Sequence, residues 1–296
     1  MAQSTDPELV LDAHARLGEG AIWNPGLQRL HWIDIEAHRV FTFDPVTGGN
    51  RGLDVGQRVG TVVPRRAGGL MVALQTGLAA LDLDSGRVSP LPPPPEHDPV
   101  LARFNDGKCD PAGRFWAGTM AFQKTPNPPG KLYRFDPDGT VHVMVRGVGT
   151  SNGLAWSLDR RTMYYIDTPL RRVDAFDYDD ATGAIANRRP VITIPPELGR
   201  PDGSTLDAEG MLWIAMWEGW GLTRWNPRTG ALLQQVRLPV ERTTSCAFGG
   251  PELDTLYVTS ARDGLTEAQL AAQPLAGGLF RLRPGVRGLP APAYAG

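Results

Sequence analysis

Six short apolar-aromatic runs recur along the chain, at residues 30–34, 70–74, 115–119, 163–167, 212–216 and 256–260. Their first residues lie 40, 45, 48, 49 and 44 positions apart. Each run follows a tight polar turn, such as Asn24-Pro25-Gly26, Asp110-Pro111-Ala112-Gly113 or Asp207-Ala208-Glu209-Gly210. Turns of that chemistry between β-rich runs mark hairpins. A second run follows each first one, at 40–44, 78–82, 132–136, 173–177, 222–226 and 279–283. Most of these alternate apolar and polar residues, the period of a half-buried strand. One further strand on each side of the pair makes four per repeat. Four-stranded antiparallel units at a period of 40–50 residues, six times over, predict an all-β, six-bladed β-propeller filling residues 1–296 as one domain. The alternative is a β-sandwich whose spacing is accidental.

The two ends of the chain fit a closed ring. Residues 8–12 occupy the frame that 141–145 holds in a middle repeat, the outermost strand. The last repeat offers only a Pro-rich remainder there, 288–296. The N-terminal strand is therefore expected to complete the last blade and to cover two otherwise open sheet edges. A helix-like stretch at 265–273 reads as an insertion in that blade.

Composition narrows the function. Gly and Pro together make 62 of 296 residues, about 21%, against an average nearer 12%. That density of punctuation suits many short strands and excludes a helical bundle. Net charge is −2 with no basic stripe, which argues against nucleic acid or an anionic membrane as partner. The longest uncharged stretch, 268–280, is broken by Pro and Gly and too short to span a bilayer. The first residues carry no basic and apolar leader pattern. Two cysteines, Cys109 and Cys246, make neither a disulfide framework nor a thiolate cluster. These features predict a cytoplasmic protein with no obligate protein partner.

The candidate chemistry appears when residues are indexed to the first residue of each apolar-aromatic run. Glu19, Asn152 and Ser245 lie 11 positions before it, and Gly60, Asn105 and Asp202 lie 10 before it. In a propeller this is the entry of the innermost strand, so the six slots converge on one mouth of the central channel. Glycines flank the slots, as in Leu17-Gly18-Glu19-Gly20, Asn105-Asp106-Gly107 and Pro201-Asp202-Gly203. Any one of these alone is an ordinary turn. Together they crowd carboxylates and amide oxygens that repel unless a cation neutralises them. Hard oxygen ligands suit Ca²⁺, Mg²⁺ or Mn²⁺, and Zn²⁺ also accepts carboxylates.

The same residues carry a resemblance. The chain is similar, over essentially its whole length, to the senescence marker protein/regucalcin and gluconolactonase family. The segments are Leu17-Gly18-Glu19-Gly20, Arg103-Phe104-Asn105-Asp106-Gly107-Lys108, Ala117-Gly118-Thr119-Met120, Ser151-Asn152-Gly153-Leu154, Val173-Asp174-Ala175-Phe176-Asp177-Tyr178, Pro201-Asp202-Gly203, Thr244-Ser245-Cys246 and Ala261-Arg262-Asp263-Gly264. The resemblance implies a six-bladed propeller that binds one divalent metal ion and hydrolyses sugar lactones. It carries the metal-ligand role onto Glu19, Asn152 and Asp202, and substrate contact onto Arg103 and Asn105. After Gly118-Thr119-Met120-Ala121 the regucalcin branch has two acidic residues, the second a substrate contact. Phe122 and Gln123 stand there in this chain. An amide still hydrogen-bonds a sugar hydroxyl but adds no charge, which puts the preferred sugar in question.

On this reading Asp202 is the candidate general base and Arg103 the donor to the lactone oxygen as charge develops. Two rival readings are a calcium-binding regulatory protein and a propeller scaffold for protein partners. The latter is disfavoured because polar side chains fill the mouth. The five histidines show no ligand spacing, and His31 reads as decoration on a strand. Cys246 reads as a small buried thiol, and Trp217 as a packing residue or part of the lining of the mouth. The Pro-rich loop 123–131 reads as a lid or a plain surface loop.

Overall fold

Six four-stranded antiparallel sheets form along the chain of this computed structural model, which describes residues 6–123 and 125–296. In each of the first five, successive strands pair with their sequence neighbours. The first blade runs Gly18–Asn24, Arg29–Asp34, Arg39–Phe43 and Asn50–Asp54. The third runs Ala102–Cys109, Phe115–Ala121, Gly130–Phe135 and Val141–Val148. The molecule is a six-bladed β-propeller.

The apolar-aromatic runs lie on the second strand of each blade, and all five residues of each of the six runs are buried. They pack between neighbouring blades and not around one centre. Trp23, Leu30, Trp32 and Phe43 of the first blade meet Ala247, Tyr257 and Leu279 of the last. Trp116 of the third blade meets Trp156 and Tyr178 of the fourth, edge to face.

Two of the polar turns hold their blades through an aspartate. Asp110 Oδ1 accepts the Arg114 N–H at 2.9 Å, and its Oδ2 accepts the Trp116 indole at 3.0 Å and the Tyr178 hydroxyl at 2.8 Å. Asp207 repeats the device: Oδ1 accepts Glu209 and Met211 N–H, and Oδ2 accepts the Trp213 indole and the Arg224 guanidinium. One carboxylate thus fixes a turn and the first large side chain after it.

The last blade consists of Thr243–Gly249, Thr255–Ser260, Leu279–Leu282 and, outermost, Glu8–Leu11. Glu8 pairs with Arg281 and Leu9 with Phe280, so the N-terminal strand closes the ring as expected. A short helix, Glu267–Ala272, interrupts this blade where an insertion was expected. Its capping box joins Thr266 and Gln269. His31 is a correction: it is fully buried, not strand decoration, between the Thr42 hydroxyl at 3.0 Å and the Asn24 amide at 3.4 Å. No helix among the described residues is long and apolar enough to cross a membrane.

Candidate functional site

Each innermost strand pairs with the second strand of its blade, and all six pairings break register at the indexed position. The shifts fall at Glu19/Ile22, Val59/Thr61, Phe104/Gly107, Asn152/Leu154, Pro201/Ser204 and Thr243/Cys246. A bulge re-aims a side chain that regular pleating would point into a blade face. Within the innermost strands the left-handed φ values fall on glycine, at Gly20 (+60°) and Gly153 (+21°). Gly60 is the slot without a side chain, because a Cβ there would fall 2.3 Å from the Phe104 carbonyl carbon.

Contacts between neighbouring blades follow the ring around. Arg58 pairs with Glu36 at 2.9 Å, the Thr61 hydroxyl donates to Gly107 O, and the Asn105 amide to Asn152 Oδ1. The Thr168 hydroxyl donates to Pro201 O, Thr243 to Met216 O, and Thr244 to Gly18 O. Glu19, Arg103, Asn105, Asn152 and Asp202 are each only 3–6% exposed.

The hydrogen bonds among them have a fixed direction. Arg103 Nη1 donates to Asn105 Oδ1 at 2.7 Å and to Phe104 O at 2.9 Å. A guanidinium only donates, so Asn105 must offer its oxygen there and its Nδ2 elsewhere. Asn105 Nδ2 donates to Ser151 O at 2.8 Å and to Asn152 Oδ1 at 3.0 Å. Asn152 Nδ2 then donates to Thr168 Oγ1 at 2.8 Å.

The carboxylates are under strong mutual stress. Burial, then the neighbouring Asp106, pushes Glu19 up to about 8, against the pull of the Gly20 N–H and Arg103. Burial, then Glu19 and Asp106, raises Asp202 well above the usual carboxylate range. Asp202 Oδ1 is buried with no hydrogen-bond partner among the described residues. Asp106, a third buried carboxylate, was not singled out by the sequence reading. Burial raises it too, while Lys108 and the Gly107 and Gly153 N–H groups favour its charge. Its signal was present in the Asn105-Asp106-Gly107 turn, where Asp106 was passed over for its neighbour. Lys108 donates to Ser204 O at 2.5 Å, and burial lowers it despite Asp106.

These residues fit a divalent cation. The donors are oxygens, one is orphaned, and a positive charge among them would relieve both raised carboxylates. No group of three or more His, Cys, Asp or Glu among the described residues is arranged to hold a metal. An ion here would therefore use the Asn152 amide oxygen beside the Glu19 and Asp202 carboxylates.

Other expected residues are placed differently. Gln123 is exposed, just beyond the strand Phe115–Ala121 and at the start of the loop on the mouth side. The structure does not bring it against the buried group. Trp217 is half-buried on the same side, under the Arg242 guanidinium at 4.8 Å. Cys246 is fully buried, and burial pushes its thiol up to about 12, so it stays protonated. A cavity of about 430 Å³ opens at the opposite end of the channel, against Trp23, Trp156, Leu206 and Phe248. It contains none of the carboxylates, and its wall is mainly apolar.

Comparison with known proteins bears on the family and the fold. Residues 17–262 match the SMP-30/Gluconolactonase/LRE-like region. Regucalcin from Oryctolagus cuniculus is 42% identical over 294 residues, covering 98% of each chain. A luciferin-regenerating enzyme superposes with a TM-score of 0.91 at 33% identity, covering 98% of this chain and 99% of that one. A calcium-binding protein, regucalcin, from Agrobacterium tumefaciens gives a TM-score of 0.89 at 27% identity, covering 97% and 96%.

Proposed function

The chain belongs to the SMP-30/gluconolactonase/LRE-like family, and from that membership and the mouth geometry we propose a divalent-metal-dependent lactonase acting on sugar aldonolactones such as gluconolactone. The observation that carries the reading is the buried Glu19–Asn152–Asp202 group, with its orphaned Asp202 Oδ1 and two carboxylates raised first by burial and then by neighbouring carboxylates, Asp106 among them.

Glu19, Asn152 and Asp202 hold the ion, which is Ca²⁺, Zn²⁺, Mn²⁺ or Mg²⁺. When bound, it supplies neutralising charge and Lewis-acid polarisation of a lactone carbonyl. The protein's own groups do the rest. Asp202 takes a proton from the attacking water as the water oxygen bonds to the carbonyl carbon. Arg103 has Nη1 committed to Phe104 and Asn105. Its other guanidinium nitrogens donate to the lactone oxygen as negative charge develops. The ring C–O bond breaks, the ring oxygen takes up the proton held by Asp202 and leaves as a hydroxyl, and the acid product releases a proton. Asn105 positions the sugar beside the ion group, and Gln123, at the edge of the mouth, contacts an outer sugar hydroxyl.

The test is glucono-1,5-lactone hydrolysis followed by proton release. Protein stripped by a chelator should lose activity and regain it with one of the four ions. Full activity after stripping, with bound metal absent by elemental analysis, overturns the proposal. The oxygen-only donor set also favours a second reading, a calcium-binding protein without primary catalysis. Calcium binding with no turnover on a panel of five- and six-carbon lactones would favour it.

A further inference from the structure

Thr168 opens the one-turn 3₁₀ segment Thr168–Leu170, directly after the second strand of the fourth blade. Its backbone is pinned on both sides: its N–H donates to Thr150 O at 3.1 Å, and its carbonyl accepts from Arg171 at 3.0 Å. The side chain is therefore delivered to one place. There its hydroxyl oxygen accepts Asn152 Nδ2 at 2.8 Å and its proton goes to Pro201 O at 2.8 Å. Pro201 precedes Asp202, so one hydroxyl joins an amide of the fourth blade to the backbone that carries a carboxylate of the fifth.

A carboxamide presents a cation with an oxygen in one orientation and an NH₂ group in the other, and the two differ by half a turn. Arg103 biases the choice through Asn105 from one end, because Asn105 must donate to Asn152. Thr168 biases it from the other end by requiring a donor. With the hydroxyl gone, the Asn152 NH₂ loses its acceptor and the Pro201 carbonyl loses its donor.

We infer that Thr168 is a positioning residue for the ion site: it locks the Asn152 oxygen towards the mouth and ties Asn152 to the backbone of Asp202. The inference rests on the proposed ion site at Glu19, Asn152 and Asp202. Hydrogen bonds that orient ligands typically change metal affinity by about 10–100-fold when removed.

The experiment is calorimetric titration of the stripped full chain with Ca²⁺ and with Mn²⁺, alongside thermal melts without metal. Thr168→Val keeps the shape and removes both bonds; Thr168→Ala removes them without β-branching, in case valine is poorly accommodated. Thr168→Ser keeps the hydroxyl. Expected are affinities weakened about 10–100-fold in the Val and Ala variants, recovery towards wild type in Ser, and metal-free melts close to wild type in all three. Glu19→Gln and Asn152→Ala are the reference variants. If they weaken binding while Val and Ala bind as wild type does, the role of Thr168 is overturned and the ion site stands. Equal weakening in Ser and Val also overturns it, since the hydroxyl would not be the active feature. If Glu19→Gln and Asn152→Ala bind metal as wild type does, the ion-site reading itself falls.

Discussion

A guanidinium has donors and no acceptor, and that one property orients two amides at the mouth. Neither orientation was legible in the sequence, which showed oxygen-bearing residues at a common index but not which atom of each would face the channel. Asp106 was missed for a related reason: indexing selects one residue per strand, while the bulge at Phe104/Gly107 turns two into the ring. Glu19 was legible, and its environment sharpens what it does. Glu19→Gln keeps the size and removes a charge that burial and Asp106 already disfavour. Metal-free protein should be as stable or more stable, while metal affinity and lactonase activity fall steeply and recover partly in excess metal. Melting curves and metal titrations check both halves. His31 gives a pH signature away from the mouth. Burial lowers it from 6.5 to about 4, so the folded state keeps it neutral while the unfolded chain binds the proton. Stability should rise with pH through that window, with a cost of roughly 3 kcal/mol fully present only below it. Urea unfolding at several pH values, compared with His31→Gln, isolates the effect, since the variant lacks this component.

At the scale of strands and turns, the reading succeeded where chemistry repeats. The second and third strands of each blade fall within two residues of their expected starts, because alternation and the preceding turn both mark them. The bulges were not legible, since a register shift depends on the partner strand. The flanking glycines hinted at them without locating them. The Asp110 and Asp207 turns show why two turns of similar composition hold so firmly: each carboxylate is fully buried and spends both oxygens. Asp207→Ala leaves the Trp213 indole without its acceptor and Arg224 without its inner partner. Removing one member of a buried charged pair costs about 3–5 kcal/mol. Denaturant unfolding should show a loss of that order. Glu209→Ala, which removes only the exposed partner of Arg224, should cost less than about 1 kcal/mol.

For the whole molecule, the ring was legible because six repeats constrain one another, and no single strand had to be read correctly. What the repeat could not show is how closure is held. The Arg281–Glu8 pair is the visible link, at 2.9 Å, but Glu8 is largely exposed and Arg281 only half-buried, and such surface pairs contribute little. The stronger contributions are the backbone pairing of Glu8–Leu11 with Leu279–Leu282 and the packing of Leu9, Val10 and Leu11 against the cores of the last blade and its interface with the first. Three half-buried aliphatic side chains represent about 3 kcal/mol, or roughly a 5 °C change in Tm for a domain of this size. Deleting residues 1–12 should lower Tm by that order and leave the edge of Leu279–Leu282 open to pairing with other chains. Glu8→Ala should melt near wild type, because it keeps the strand and loses only the surface pair. Light scattering during the melts then distinguishes the two: the truncated chain should aggregate at concentrations where Glu8→Ala stays monodisperse. A truncated chain that melts as wild type does and stays monodisperse would mean that the ring is closed by its other blade interfaces alone.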